Sequence, residues 1–453
     1  MAAMRMRTPE PTDRPAFNGW KIVRAGLVIQ VLHSGLVFNS FSLFAAELHK
    51  TYGWTNSQLG FAFSMNRAES GLLGPLQGWM TDKWGPRAVL RVGAAIMAAG
   101  LVLFSRLDSL AEFYGFYLLV ALGSSLAGFL SITVCIVNWF EQKRSRAIAL
   151  SQTGFAIGGV AAFAVGASIH SIGWRTTSLV SAAIVLAVIV PLSRYFDRTP
   201  ADVGQHIDGI DPLAAPAASA DGENRAAPAR PSAVHFTASE AMRTRAFWFI
   251  SLGHASALLV VGAAMAHLAV YLEEERGLSP WHVSAVVGAL PAMMGAGQLL
   301  GGYLGDRFDK RKVVTVAMGG HGIGLLVLAF ASNPFMVWAF VLLHGLAWGL
   351  RGPLQQAMRA DYFGATDFGK IMGFSSLVVM MGMVFGPIVA GVLADATGSF
   401  TLGFAILAVV AGLGGFWFWF ATPPAPPTRS STGTAIASPA LDAAAVNVAL
   451  PRP

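Results

Sequence analysis

The sequence predicts an all-α membrane protein with twelve transmembrane helices in two six-helix bundles. Three observations lead there. The chain of 453 residues is 54% hydrophobic and only 12% charged, against about 25% charged in an ordinary soluble domain, and its mean hydropathy is +0.57. Its apolar residues gather in runs that suit a bilayer core of about 30 Å, which takes about 20 helical residues to cross. The second half of the chain also repeats the first, at an offset of 224 residues.

The first span is expected near 22–44. It follows a tail, 1–21, with scattered charges and prolines and no apolar h-region before Trp20, so the tail is not read as a cleavable signal. Spans near 57–80, 88–106 and 113–138 follow. The single cysteine, Cys135, lies in the fourth; it excludes a disulfide framework and a multi-cysteine metal site and reads as a small buried hydrophobe. Spans near 146–170 and 176–196 complete an N-terminal bundle, 22–196. The Ala/Pro-rich "PLAAPAASADGENRAAPARPSA" then breaks the pattern, and 197–246 reads as a mobile cytoplasmic linker. The C-terminal bundle, 247–421, is expected to span near 247–271, 281–304, 313–331, 335–357, 369–394 and 400–421. Short connections such as "SNP" (332–334) and "TGS" (397–399) join antiparallel neighbours. From 422 to 453 the chain reads as a disordered cytoplasmic tail.

Cytoplasmic loops carry an excess of Lys and Arg. Of the 31 here, Lys50, Arg106, Arg175 and Arg276 fall in loops on one side, and Arg67 and Arg351 fall inside spans; the rest lie on the opposite side. Both termini are therefore expected in the cytoplasm of an integral multi-pass protein of a bacterial inner membrane. The same asymmetry accounts for the net charge of +7 without nucleic acid, because the positive charge marks one face of the bilayer.

The repeat is clearest after spans two and eight. "GWMTDKWGPR" (78–87) lies against "GYLGDRFDKR" (302–311), matching Gly78 with Gly302, Asp82 with Asp306, Lys83 with Arg307 and Arg87 with Arg311. The stretches after spans four and ten, 138–159 and 360–382, also correspond. Parallel repeats of six suit two bundles that tilt about a site between them. On these residues the chain, over roughly 20–421, resembles the major facilitator superfamily, whose G-x-x-x-D-[RK]-x-G-x-[RK] loop is specific when it occurs within twelve spans. The resemblance implies the major facilitator fold and a secondary transporter. It also implies that the loop aspartate meets the N-terminal end of helix 11 and nearby basic residues, holding the halves together at the cytoplasmic side. A carboxylate is favoured at a helix N-terminus. Asp82, Arg87, Asp306 and Arg307 are the gating candidates, although Asp309 stands where the first copy has Gly85.

A narrower resemblance is to the monocarboxylate-porter and oxalate/formate-antiporter branch. It rests on "NGW" (18–20), "YGWTNSQLG" (52–60), "GLLGPLQGWMTDKWGPR" (71–87), "RTPADVGQHIDG" (198–209) and "FGPIVAGVLADATGSF" (385–400). That branch moves small organic anions, with protons or in exchange. It commonly places an arginine, sometimes with an aspartate, in helix 8. Here "VVGALPAMMGAGQLLGG" (286–302) has neither, so the branch's carboxylate site does not transfer.

Charge inside a span costs several kcal/mol without a partner or water and marks function. Arg67 lies 15 residues before Asp82, or about 22 Å along a helix. Arg351 precedes Arg359 by 8 residues, or about 12 Å, so both sit at middle depth. Arg351 stands beside Gly352-Pro353, where proline loosens the helix, and its fork of donors matches a carboxylate. It is the first candidate for anion binding, with Arg67 beside it. Glu69 is two residues from Arg67 and faces another way; desolvation raises a carboxylate's pKa, which makes it a proton-carrier candidate. His33 and His344 are the histidines expected to face a cavity, with His33 able to bind substrate or carry a proton. Asn39 and Gln355 are further expected substrate contacts. No nucleophile–base spacing, metal cluster or phosphate loop points to an enzyme or a cofactor. The expected function is transport of a small organic anion by a monomer, coupled to protons or a counter-anion. Efflux of amphipathic compounds and a transporter-like sensor are the alternatives.

Overall fold

The computed structural model describes residues 17–54, 56–211 and 235–427, and every regular element among them is helical. The first expected span is α1 (Gly19–His33), which passes through a π turn at Ser34–Phe38 into α2 (Phe41–Tyr52). The Asn39 side chain donates to the Ser34 carbonyl at 3.1 Å and to its hydroxyl at 2.7 Å, beside the turn's own bond from the Asn39 amide to that carbonyl. The second is α3 (Asn56–Leu72) and α4 (Gly74–Trp84), and the third is α5 (Pro86–Phe104). The fourth is α6 (Leu110–Leu126), opened by a Ser109/Glu112 capping box, and α7 (Phe129–Trp139).

The fifth and sixth expected spans are one element, α8 (Arg144–Leu192). A loop was expected between them; a single residue, Gly173, bends the chain instead, at φ 80 and ψ 156. A residue with a Cβ is strained at that φ. The C-terminal half comprises α9 (Ala238–Met242), α10 (Arg245–Val270), α11 (Pro280–Gly305), α12 (Lys310–Ala329), α13 (Pro334–Phe363), α14 (Phe368–Thr397) and α15 (Thr401–Phe420).

Among the described residues, ten helical stretches are long and apolar enough to cross a membrane. The two other expected spans fall on α3–α4, where Arg67 and Glu69 lower the hydropathy, and on the first part of α8. Large apolar side chains stand exposed around the molecule, including Leu72 at 71%, Val316 at 76% and Phe335 at 80%. An apolar surface of this extent fits hydrocarbon, not water.

The expected mobile linker is ordered at both ends. Residues 197–211 lie on the N-terminal half, where the Asp197 carbonyl accepts from Trp139 Nε1 at 2.9 Å and the Asp208 carboxylate accepts from the Glu141 and Gln142 amides. Residues 235–246 lie on the C-terminal half, where Phe236 N donates to the Phe363 carbonyl at 3.1 Å. Capping boxes at Thr199/Asp202 and Thr237/Glu240 fix the two ends locally. The Ala/Pro-rich centre and the tail beyond 427 lie outside the described residues.

The halves meet along two helix pairs, α4 with α14 and α8 with α11. Backbones touch there: a Cβ on Gly78 would lie 2.0 Å from the Gly369 carbonyl oxygen, and one on Gly373 would lie 2.2 Å from that of Gly74. Small residues permit this approach.

Candidate functional site

Two cavities lie between the halves. The upper one, about 310 Å³, is walled by Gln30, His33 and Gln152 of the N-terminal half and by His254, Gln298 and Arg351 of the C-terminal half. Phe129, Phe155, Trp348 and Met380 supply apolar surface. The lower one, about 170 Å³, is reached past His33, Phe129, His254, Gln356 and Met380, which line both, and adds Ser70, Gln77, Ser125, Arg359 and Ser375.

Arg351 is 1% exposed and Arg359 is 2% exposed. Arg351 donates from Nε to His321 Nε2 at 2.8 Å and from Nη1 to Gln355 Oε1 at 3.5 Å, and its buried Nη2 has no hydrogen-bond partner among the described residues. Arg359 donates to Ser375 Oγ at 2.8 Å and to the Gln355 carbonyl and Gln356 Oε1 at 3.3 Å. Among the described residues, no carboxylate pairs with either. Four more buried polar atoms on residues of the upper cavity's walls have no hydrogen-bond partner among the described residues: Gln30 Oε1, Gln152 Nε2, His254 Nδ1 and Gln298 Oε1. Each such group costs about 1–3 kcal/mol unless water or a ligand meets it. Their convergence makes this cavity the candidate site.

The structure sorts the sequence candidates. Arg351 and His33 line the upper cavity, and His33 Nδ1 lies 2.6 Å from Ser124 Oγ. His344 was expected to face a cavity and does not: it packs behind Arg351, with its Nδ1 3.1 Å from His321 Nδ1 and its ring stacked on Phe340. Asn39 is spent on the π turn, and Gln355 accepts from Arg351 with its side chain and from Arg359 with its main-chain carbonyl, within its own helix. Glu69 is buried and accepts from Ser125 Oγ at 3.0 Å, one side chain away from the lower cavity. The Arg67 side chain lies outside the described residues. Sequence reasoning missed Gln30, Gln152, Gln298, His254 and His321 as site residues. It placed Arg359 at the loop, whereas α13 carries it inside the protein. Amides within apolar spans were the available signal, but sequence alone does not say which way each helix is turned.

The gating candidates divide in the same manner. Asp82, past the end of the second expected span, accepts from the Gly369 and Lys370 amides at 3.1 and 2.9 Å, in the first turn of α14. Asp306 accepts from the Ser145 amide at 3.0 Å, in the first turn of α8. Ser145 and Gly369 are themselves 224 residues apart, so the two contacts are copies of one another across the repeat. Burial pushes Asp82 up to about 6, against the pull of its two amide bonds; burial raises Asp306 as well. Arg87 is not a partner of Asp82: it pairs with Asp197 on its own half. Arg307 does not reach the contact either, lying over the Tyr303 ring at 4.1 Å. Beside the two contacts, Arg144 and Asp361 pair across the halves, and Lys310 joins Asp361 at 2.8 Å. Gly78→Val is expected to force α4 and α14 apart, at a cost of about 1–3 kcal/mol for overpacking. The check is faster thiol labelling of a cysteine placed at Ser376 in the lower cavity. The native Cys135 is buried and does not interfere.

Comparison with known proteins agrees with this geometry. The chain is 26% identical to human monocarboxylate transporter 11 over 413 residues, covering 88% of this chain and 82% of that protein. It is 21% identical to the oxalate:formate antiporter of Oxalobacter formigenes, over 82% of this chain and 83% of that one. It is 26% identical to a probable sulfoacetate transporter of Cupriavidus necator, over 85% and 89%. Among solved structures, the Escherichia coli fucose:proton symporter superposes with a TM-score of 0.66 at 14% identity, covering 89% of this chain and 99% of that one. The human organic anion transporter MFSD10 gives 0.66 at 17%, over 89% and 100%. The Major Facilitator Superfamily model matches residues 27–297 and 250–452. With this fold, these paired helix contacts and that match, the chain belongs to the Major Facilitator Superfamily of transporters.

Proposed function

We propose that the chain is a secondary active transporter of a small organic anion, most simply a carboxylate, working by alternating access and coupled to protons or a counter-anion. The observation that carries this reading is the pair of buried arginines on the cavity walls, which have no carboxylate partner among the described residues. An uncompensated buried charge costs several kcal/mol, and an anion in the cavity offsets that cost. Arg351 stands on the wall of the upper cavity, and Arg359 supplies the next cation about 12 Å further along α13. The aromatic and methionine surface around them suits an anion with an apolar body.

In this reading the face with most of the loop charge is cytoplasmic, and the Asp82 and Asp306 contacts hold it closed. The working halves are 22–196 and 247–421. Both come from one chain, so a monomer suffices. Glu69, linked to the lower cavity through Ser125, is a candidate for carrying protons. The names of the relatives, which include transporters of monocarboxylates, oxalate, formate and sulfoacetate, support the substrate class.

The test is uptake into proteoliposomes of lactate, oxalate, sulfoacetate and benzoate, with and without an imposed pH gradient or a preloaded counter-anion. Saturable uptake of at least one is expected. If none moves, and amphipathic cations are extruded instead, the efflux alternative replaces this reading.

A further inference from the structure

The hydrogen bonds behind Arg351 have a direction that chemistry fixes. Its Nε donates to His321 Nε2 at 2.8 Å. A guanidinium has donors and no acceptor, so His321 carries no proton on Nε2. A neutral imidazole then carries it on Nδ1, where it donates to His344 Nδ1 at 3.1 Å. His344 in turn holds its own proton on Nε2, a buried atom with no hydrogen-bond partner among the described residues. The tautomers are assigned from this network. Both rings are neutral, and His321 cannot take a proton on Nε2 while Arg351 donates to that atom.

Among the described residues, the surroundings offer no counter-charge. From α10 comes His254, which lines both cavities. From α13 come His344, Arg351 and, two turns on, Arg359. From α15, packed on α12, comes no ionisable side chain anywhere in Thr401–Phe420, and α11 has none from Val283 to Gln298. Among the described residues, no carboxylate pairs with any member of the cluster. Without an anion, a second charge beside Arg351 would face it across 2.8 Å in a buried site, where like charges repel strongly.

An anion in the upper cavity changes both conditions. It draws the guanidinium toward itself, which leaves the His321 Nε2 lone pair free, and it makes the site one unit more negative. We propose that His321 is the proton acceptor coupled to anion binding: Arg351 and a proton compete for its Nε2, and an anion that engages Arg351 leaves that atom to the proton. This rests on the anion-transporter reading. The step balances as one proton taken from water onto His321 Nε2, giving an imidazolium, for each anion that enters. No other bond forms or breaks apart from hydrogen bonds. His344 is a positioning residue, fixing the tautomer of His321.

The test is binding of benzoate, lactate and oxalate to the purified protein in weakly buffered detergent solution, from about pH 5 to about pH 8, the range in which histidine titrates. Linkage of one proton predicts that wild-type affinity tightens about tenfold for each pH unit of acidification, because coupling is reciprocal. His321→Gln keeps an oxygen that accepts from Arg351 but binds no proton, so its slope is expected to fall below about twofold per unit. Any pH effect through Asp82 is present in both proteins and cancels in the comparison. Should the variant not fold, ¹⁵N-histidine spectra of the wild type carry the test, with one imidazolium expected to appear on anion addition. An unchanged slope in His321→Gln, or anion binding to wild type with no slope or no new imidazolium, overturns the assignment while leaving the anion site standing. Failure of all three anions to bind overturns both.

Discussion

Arg351→Gln is expected to reduce anion uptake by about a hundredfold or more while leaving a folded protein. A charged hydrogen-bonded contact contributes about 1.5–3 kcal/mol, and the lost Coulomb attraction in a buried cavity adds to it. A total near 3 kcal/mol is about two decades in binding. The variant's stability should hold or rise, because glutamine removes a buried charge that has no carboxylate partner among the described residues. Arg351→Lys separates charge from shape: it keeps the cation and loses the planar fork, so an intermediate loss is expected. The measurements are initial uptake rates in proteoliposomes at matched protein density, with melting temperatures alongside. Wild-type uptake in Arg351→Gln would remove Arg351 from the site.

Asp82→Ala is expected to loosen the contact between α4 and α14. The carboxylate caps the first turn of α14 with two amide bonds, at a helix end whose dipole also favours it. Losing them shifts the open-to-closed ratio by about 2 kcal/mol, or about thirtyfold. Asp306→Ala should shift it less, because Asp306 accepts one such amide bond and its Oδ2 meets only the Arg146 guanidinium, at 3.9 Å. The pH dependence follows from burial. In the closed arrangement Asp82 titrates at about 6, against 3.8 for an exposed aspartate. The closed form therefore binds the proton more tightly. Closure gains stability as pH falls from 6 toward 3.8, keeps the full gain below that, and gains nothing above 6. At about pH 5 the gain is about 1 kcal/mol. Thiol labelling at Ser376→Cys should slow on acidification in the protein with Asp82 and lose that extra slowing with Asp82→Asn. The same pH response in both would show that another group controls this face.

Much of this was readable along the chain. Runs of apolar residues gave helices wherever a bilayer-length run occurred, because hydrocarbon leaves the backbone few other ways to satisfy itself. The repeat also matched Asp82 with Asp306 before any contact was known. The site was legible only in part. Arg351 stood out because a cation in an apolar run is expensive anywhere along it. Gln30, Gln152 and Gln298 did not, because a single amide in a helix is tolerated in many orientations. His344 was preferred to His254 and the order is reversed for the same reason: both are histidines within apolar helices, yet His344 lies behind Arg351 and His254 lines both cavities.

The sequence by itself determined the class of molecule, the helical runs, the asymmetry of charge and the twofold pattern, since these depend on composition and spacing along one chain. Only the tertiary structure decided which polar side chains share a cavity, which of two basic loop residues meets an aspartate, and that Arg359 is buried. Helical periodicity fixes where a side chain points relative to its own helix. The rotation of that helix about its axis is set by packing against its neighbours, such as α4 on α14 at Gly78 and Gly369. Which atoms converge on one cavity is therefore settled by contacts between helices far apart in the chain.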